Sequence, residues 1–236
     1  MKKFNFSYKE TITTIITDNE DFYEIAVKAI LDARSEIEEY ISLNPYFLIS
    51  YEPLNCGSCS GREIVRKMCY SAKLANVGPM ASVAGAIAQF AVDKMVEAGA
   101  NVAVVDNGGD IAIHTDREIK VGIYPSKIAL LIPPTDKIAI CTSSGKIGPS
   151  VSFGWADAAT IVADDACIAD AFATALGNII EGSNRDEIEK RLAEFYSKNR
   201  TFIKGAVIVK DEIIAISGKI PKLLIADFSE DLITKI

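Results

Sequence analysis

In the stretch ADDACIADAFATALGN, residues 163–178, nearly every side chain is small, and two oxygen-bearing ones, Asp170 and Thr174, stand four residues apart. On a helix that spacing puts both on one face, with Cβ atoms about 6 Å from each other. A carboxylate and a hydroxyl are hard donors, which suit Mg2+ or Ca2+ and not a soft metal. The spacing equally suits a threonine bonded back to the carbonyl of residue 170 beside a solvated aspartate. Taken alone it leaves a cation site and a plain packing helix both open.

Other segments could also do chemistry. In PMASVAGAIAQFAVDKMVEAGA, residues 79–100, Ala81, Ser82, Gly85 and Ala88 form a helical face almost without side chains. A mid-helix glycine costs about 1 kcal/mol against alanine, so something must approach this backbone closely. Another helix, such as the alanine-rich one, would do so, and so would a ligand or ion at an uncovered carbonyl. DNGGDI, residues 106–111, sets Gly108, Gly109 and Asp110 in a tight turn, which reads as a hairpin or as a binding loop. It lacks the third glycine and the following helix of a dinucleotide fingerprint. CTSSG, residues 141–145, opens a loop in which Thr142, Ser143, Ser144 and Gly145 could cradle a phosphate or carboxylate, or could simply be solvated. CGSC gives a lone pair, Cys56 and Cys59, with no second pair to complete a zinc site. A redox or persulfide role competes there with incidental cysteines on a mobile loop. His114 is the single histidine and has no partners for a Ser–His–Asp triad.

The chain that must position these residues has 236 residues, a net charge of −7 and five cysteines. An acidic chain without a basic run argues against nucleic acid as a partner. No apolar run reaches membrane-spanning length and the start lacks an apolar signal core, so no membrane is expected and the cytoplasm is the default. An odd cysteine count in a long acidic chain points to reduced thiols.

The elements follow from periodicity. Phe4, Phe6 and Tyr8 alternate as a strand, with TITTIIT (11–17) as its hairpin partner, and a helix runs from Asp18 or Asn19 to about residue 43. Residues 44–61 read as an irregular loop. Helices follow up to Gly78 and over 79–100, with Pro79 in a first turn and Gly99 as C-cap. NVAVVDNGGDIAI reads as a strand, a turn and another strand, and IKVGIYP, KIALLIP and KIAICTSS continue as short strands. AATIVA is a strand leading into the alanine-rich helix, a polar helix comes next, and a hairpin turns near Asp211. Strands in clusters between helices, rather than in strict alternation, indicate one α+β domain over 1–236 with a mainly antiparallel sheet packed with helices.

The ordered set AVDKMVEAGANVAVVDNGGDIAI, CTSSG and ADAATIVADDACIADAFATALGN resembles the ApbE-like superfamily, and most of all its uncharacterised branch marked by VGPMASVAGAIA, NGGDI, CTSSG and ADAFATALGN. The resemblance spans roughly residues 20–215. It implies an ApbE-like fold and, from the flavin transferases of that superfamily, movement of FMN from FAD to a protein threonine with Mg2+. In those enzymes the alanine-rich helix gives an aspartate and a threonine to the metal, matching Asp170 and Thr174. A carbonyl of the small-residue helix adds a ligand, matching about Gly85. FAD or FMN, or another anionic small molecule, is then the ligand expected near Ser82, Gly108, Gly109, Asp110 and the loop 142–145.

The sequence also departs from the transferases. Their His-x-x-Asp-Pro segment is replaced by KIGPSVSFGWAD, which has no histidine. A charged residue that helps to hold the flavin falls near Ala88 or Gln89, and an aspartate at the helix start falls at about Ser82. Enzymatic transfer is therefore left open, as is a homo-oligomer. A second reading comes from members resembling this branch that are linked to homocysteine formation in anaerobic metabolism, with Cys56, Cys59 and Cys141 as sulfur carriers. A third is a non-catalytic binding subunit.

Overall fold

The computed structural model describes residues 1–55, 61–144, 156–181 and 184–225. A hairpin of β1 (Lys2–Tyr8) and β2 (Thr11–Thr17) leads to α1 (Glu20–Leu43), the short α2 (Tyr46–Ile49), α3 (Glu63–Ala75), a 3-10 turn (Pro79–Ser82) and α4 (Val83–Glu97). Strands β3 (Val102–Asn107), β4 (Asp110–Thr115), β5 (Ile119–Ile123), β6 (Ile128–Ile132), β7 (Thr135–Ser143) and β8 (Ala158–Ala163) follow. The chain continues through α5 (Ala166–Ile179), α6 (Arg185–Asn199), β9 (Gly205–Lys210), β10 (Ile213–Gly218) and β11 (Lys222–Ile225).

Eight strands form one sheet in the order β1-β2-β3-β4-β7-β8-β9-β10, every neighbouring pair antiparallel. Strands β5, β6 and β11 make a second antiparallel sheet. Alternate residues of the large sheet serve two cores. Ala103, Val105, Ala112, Ala139 and Ile161 face helices α1, α3, α4 and α5. Val104, Ile113, Ile140, Val162 and Val207 face Val121, Ile123, Leu130 and Ile132 of the small sheet. Covering both faces explains why β8 and β9 are buried at every position and lack polar alternation. This is the α+β architecture that the clustered strands imply.

Helices α4 and α5 pack together as their small-residue faces suggest. A Cβ on Gly85 would overlap the carbonyl oxygen of Ala166 and lie 2.7 Å from Cβ of Asp170. Gly99 ends α4 with φ +96°, its amide bonded to the Val96 carbonyl and that of Ala100 to Met95, the C-terminal motif that glycine favours.

Some boundaries differ from expectation. Pro79–Ser82 is a 3-10 turn, and the α-helix begins only at Val83. The Ser82 hydroxyl donates to the Pro79 carbonyl at 2.9 Å, closing that turn locally. Helix α3 is ended by Asn76 in the left-handed region, two residues before Gly78. The stretch read as irregular contains α2, which buries Phe47 against Tyr40 at a ring distance of 5.0 Å. Cys56, Cys59 and Gly145 lie outside the described residues.

Candidate functional site

Helix α5 is held at its N-terminus by two side chains. Oδ1 of Asp165 accepts the amides of Cys167 at 2.9 Å and Ile168 at 3.3 Å, as a capping aspartate does. The Ala166 amide donates to Oε1 of Gln89 at 2.9 Å, and Nε2 of Gln89 donates to Asp93 at 2.8 Å. Residues 166, 170 and 174 then form a row along one face of the helix. That row meets the start of α4.

Along this row the three expected metal residues come together. The Gly85 amide donates to Oδ2 of Asp170 at 2.9 Å. The Thr174 hydroxyl reaches the Ala81 carbonyl at 3.5 Å. Both side chains are buried. Gly85 thus meets Asp170 through its amide, and the carbonyl that faces Thr174 is that of Ala81. Nδ2 of Asn107 donates to the Ala84 carbonyl at 3.1 Å and ties the start of α4 to β3.

The sheet adds a second group beneath α5. Gly108 and Gly109 adopt φ +68° and +100° and form a two-residue hairpin turn between β3 and β4. The turn is fastened by the Gly109 amide, which donates to Oδ1 of Asp106 at 2.8 Å. Asp110 follows as the first residue of β4, in register with Cys141 on β7. Cys141 and Ser143 point to one face, and the Cys141 thiol donates to the Ala166 carbonyl at 3.4 Å, so this is the face that α5 covers. Thr142 points the other way and shares a hydrogen bond of 2.9 Å with Thr160. The hydroxyls of the CTSSG segment therefore do not act as one cradle: Ser143 joins Asp110 on the helix side, while Thr142 serves the opposite face. Oδ1 of Asp110 and Oγ of Ser143 are buried and have no hydrogen-bond partner among the described residues.

Burial dominates the electrostatics here. It pushes the Asp110 carboxyl well above the usual carboxylate range, and the charges of Asp170 and then Asp106 push it further. Burial lifts Asp170 to about 7, opposed by the amides of Gly85 and Ala84. Among the described residues neither carboxylate has a lysine or arginine partner. The Cys141 thiol is raised by burial and then by the two carboxylates, and that of Cys167 is pushed by burial to about 12. Both are free, buried thiols held neutral, which is poor ground for a sulfur nucleophile at Cys141. Cys69 is disulfide-bonded, against the expectation that the cysteines are reduced.

Gln89 as a cap, Asn107 and Asp165 are positioning residues that spacing alone does not single out. A glutamine inside the apolar run AIAQFAV and an aspartate directly before an alanine run were the available signals. Ser82 is fully buried with its hydroxyl turned back to Pro79. His114 donates from Nδ1 to the Asp136 backbone carbonyl at 3.0 Å and is a strand residue. Among the described residues no group of three or more His, Cys, Asp or Glu side chains converges as a metal cluster, and no single helix is long and apolar enough to cross a membrane.

A large antiparallel sheet packed with helices is the architecture of an ApbE-like protein. The family model described as AbpE bacteria matches residues 1–215, and the chain belongs to that family. A UPF0280 protein of Archaeoglobus fulgidus is 62% identical over 235 residues and 100% of each chain. One of Methanothrix thermoacetophila is 46% identical over 237 residues and 98% of each chain. Among solved structures, the apo flavinyl transferase ApbE of Pseudomonas stutzeri superposes with a TM-score of 0.61 at 11% identity, over 94% of each chain. The ApbE protein of Thermotoga maritima gives 0.61 at 12% identity, over 92% of this chain and 96% of that one. At such identities the likeness is one of fold.

Proposed function

We propose that the chain binds Mg2+ through Asp170, Thr174 and a backbone oxygen near Gly85, and binds an anionic small molecule, a flavin nucleotide or similar, against that ion. The observation that carries this reading is the buried Asp170 carboxylate, which among the described residues has no cationic side chain beside it. Burying a charge without a counter-charge is costly, and a cation relieves that cost. The donors are all hard oxygens, which fit Mg2+. When bound, the ion would neutralise the phosphate charges of such a ligand.

The chain's own residues set the site. Gln89 and Asp165 fix the start of α5, Gly85 lets α5 approach, and the amides of Gly85 and Ala84 orient Asp170. FMN transfer to a protein is not part of the proposal. The only histidine, His114, is engaged with the Asp136 backbone, and the His-x-x-Asp-Pro segment is absent from the sequence. A fluorescence titration with FAD in Mg2+ and in EDTA tests the reading. FAD should bind in Mg2+ and weaken in EDTA. Equal binding in both, or none in either, would overturn it.

A further inference from the structure

Asp110 is a hairpin residue that the turn does not use. The Gly108–Gly109 turn is closed by Asp106, and the strand register needs only the Asp110 backbone. Its side chain is 8% exposed, points to the face covered by α5, and leaves Oδ1 without a donor among the described residues. Its neighbours are the Cys141 thiol opposite and Ser143 on the diagonal, and β4 packs against α5, whose Asp170 charge acts on it. Ser143, 6% exposed, has a hydroxyl on the same face with no partner among the described residues. Buried acceptors are almost always satisfied. Two that are not, beside a second buried carboxylate that has no lysine or arginine partner among the described residues, mark a place where something positive belongs.

We propose that Asp110 is a second carboxylate ligand of the cation assigned to Asp170, so that the ion is clamped between strand β4 and helix α5. The inference rests on the reading above and changes its consequences. A site with one carboxylate and neutral oxygens holds a divalent ion weakly and depends on an incoming anion for the rest of its charge. A site with two carboxylates is neutral once filled, and it binds the ion before any anion arrives. The anion then meets a preformed site. The ion also links the sheet to the helical layer, beside the hydrogen bond from the Cys141 thiol to the Ala166 carbonyl.

The test is Mn2+ binding to the full chain, followed by electron paramagnetic resonance of the free ion, with no anion added. The parent should bind Mn2+, and Asp110→Asn and Asp170→Asn should each weaken it by about tenfold or more. If Asp110→Asn binds within about twofold of the parent while Asp170→Asn is weakened, the second carboxylate is wrong and the one-carboxylate site stands. If neither variant is weakened, the metal reading itself fails. A parent that takes up no Mn2+ without an anion also overturns the two-carboxylate site. Should Asp110→Asn not fold, anomalous diffraction from parent crystals soaked in Mn2+ decides. A peak about 2.1 Å from an Asp110 oxygen upholds the inference, and a peak at Asp170 away from Asp110, or no peak, overturns it.

Discussion

The amide of Gly85 donates to Oδ2 of Asp170 at 2.9 Å, across 85 residues of sequence. Gly85 stands in the first turn of α4, where helix amides lack partners within the helix. Ser82 occupies the N-cap position but offers no side-chain cap, because its hydroxyl is bonded to Pro79. Asp170 does that work from a neighbouring helix, and the positive end of α4 favours its charge. One carboxylate therefore both fixes the contact between two helices and stands where a cation is proposed.

Gly85→Ala weighs two effects of opposite sign. Alanine raises helix propensity by about 1 kcal/mol. Its methyl would also overlap the Ala166 carbonyl and crowd Cβ of Asp170 at 2.7 Å. Both obstacles lie on helix α5 close to its backbone and cannot swing away, so the steric term wins. Chemical denaturation should show a loss of about 3 kcal/mol. A variant as stable as the parent would mean that the two helices can separate freely.

Asp170 also sets a pH dependence. Its carboxyl is lifted from an ordinary value of 3.8 to about 7 in the folded chain. The folded state then holds the proton more tightly than the unfolded state, so stability falls as pH rises between those values. In metal-free buffer Asp170→Asn should melt at a higher temperature than the parent at about pH 8 and close to it at about pH 4. Asp110 keeps its own share of the effect in that variant. A difference in melting temperature that does not change with pH would contradict the buried-carboxylate picture.

Cys141 and Cys167 should resist alkylation in the folded protein and react only on unfolding. Each is no more than 1% exposed and its thiol is held neutral. Mass spectrometry after a brief native treatment with iodoacetamide reads this directly. Rapid native labelling of Cys141 would reopen a sulfur-carrying role for it.

What the sequence disclosed follows from what is local. Asp170 and Thr174 share a helical face by spacing, and Gly85 marks a close approach because a glycine in a helix is costly. The hairpin at Gly108–Gly109 was legible from its turn residues. The partner of each group was not. Gln89 meets Ala166 across 77 residues and Asn107 meets Ala84 across 23, and only the tertiary path brings them together. The CTSSG segment looked like one cradle, but strand alternation splits it, sending Ser143 to the helices and Thr142 to Thr160. Asp110 gave no sign of a buried, unpartnered oxygen because its environment comes from β7 and α5, far along the chain.

The most direct measurement is calorimetric titration of FAD into the parent and into Asp170→Asn, each with and without Mg2+. Asparagine keeps the shape of the side chain and an acceptor for the Gly85 amide, and it removes the charge. Mg2+ should strengthen FAD binding to the parent by about tenfold and leave binding to Asp170→Asn unchanged. If Mg2+ strengthens binding equally in both, Asp170 holds no cation, and the contact between α4 and α5 is packing alone.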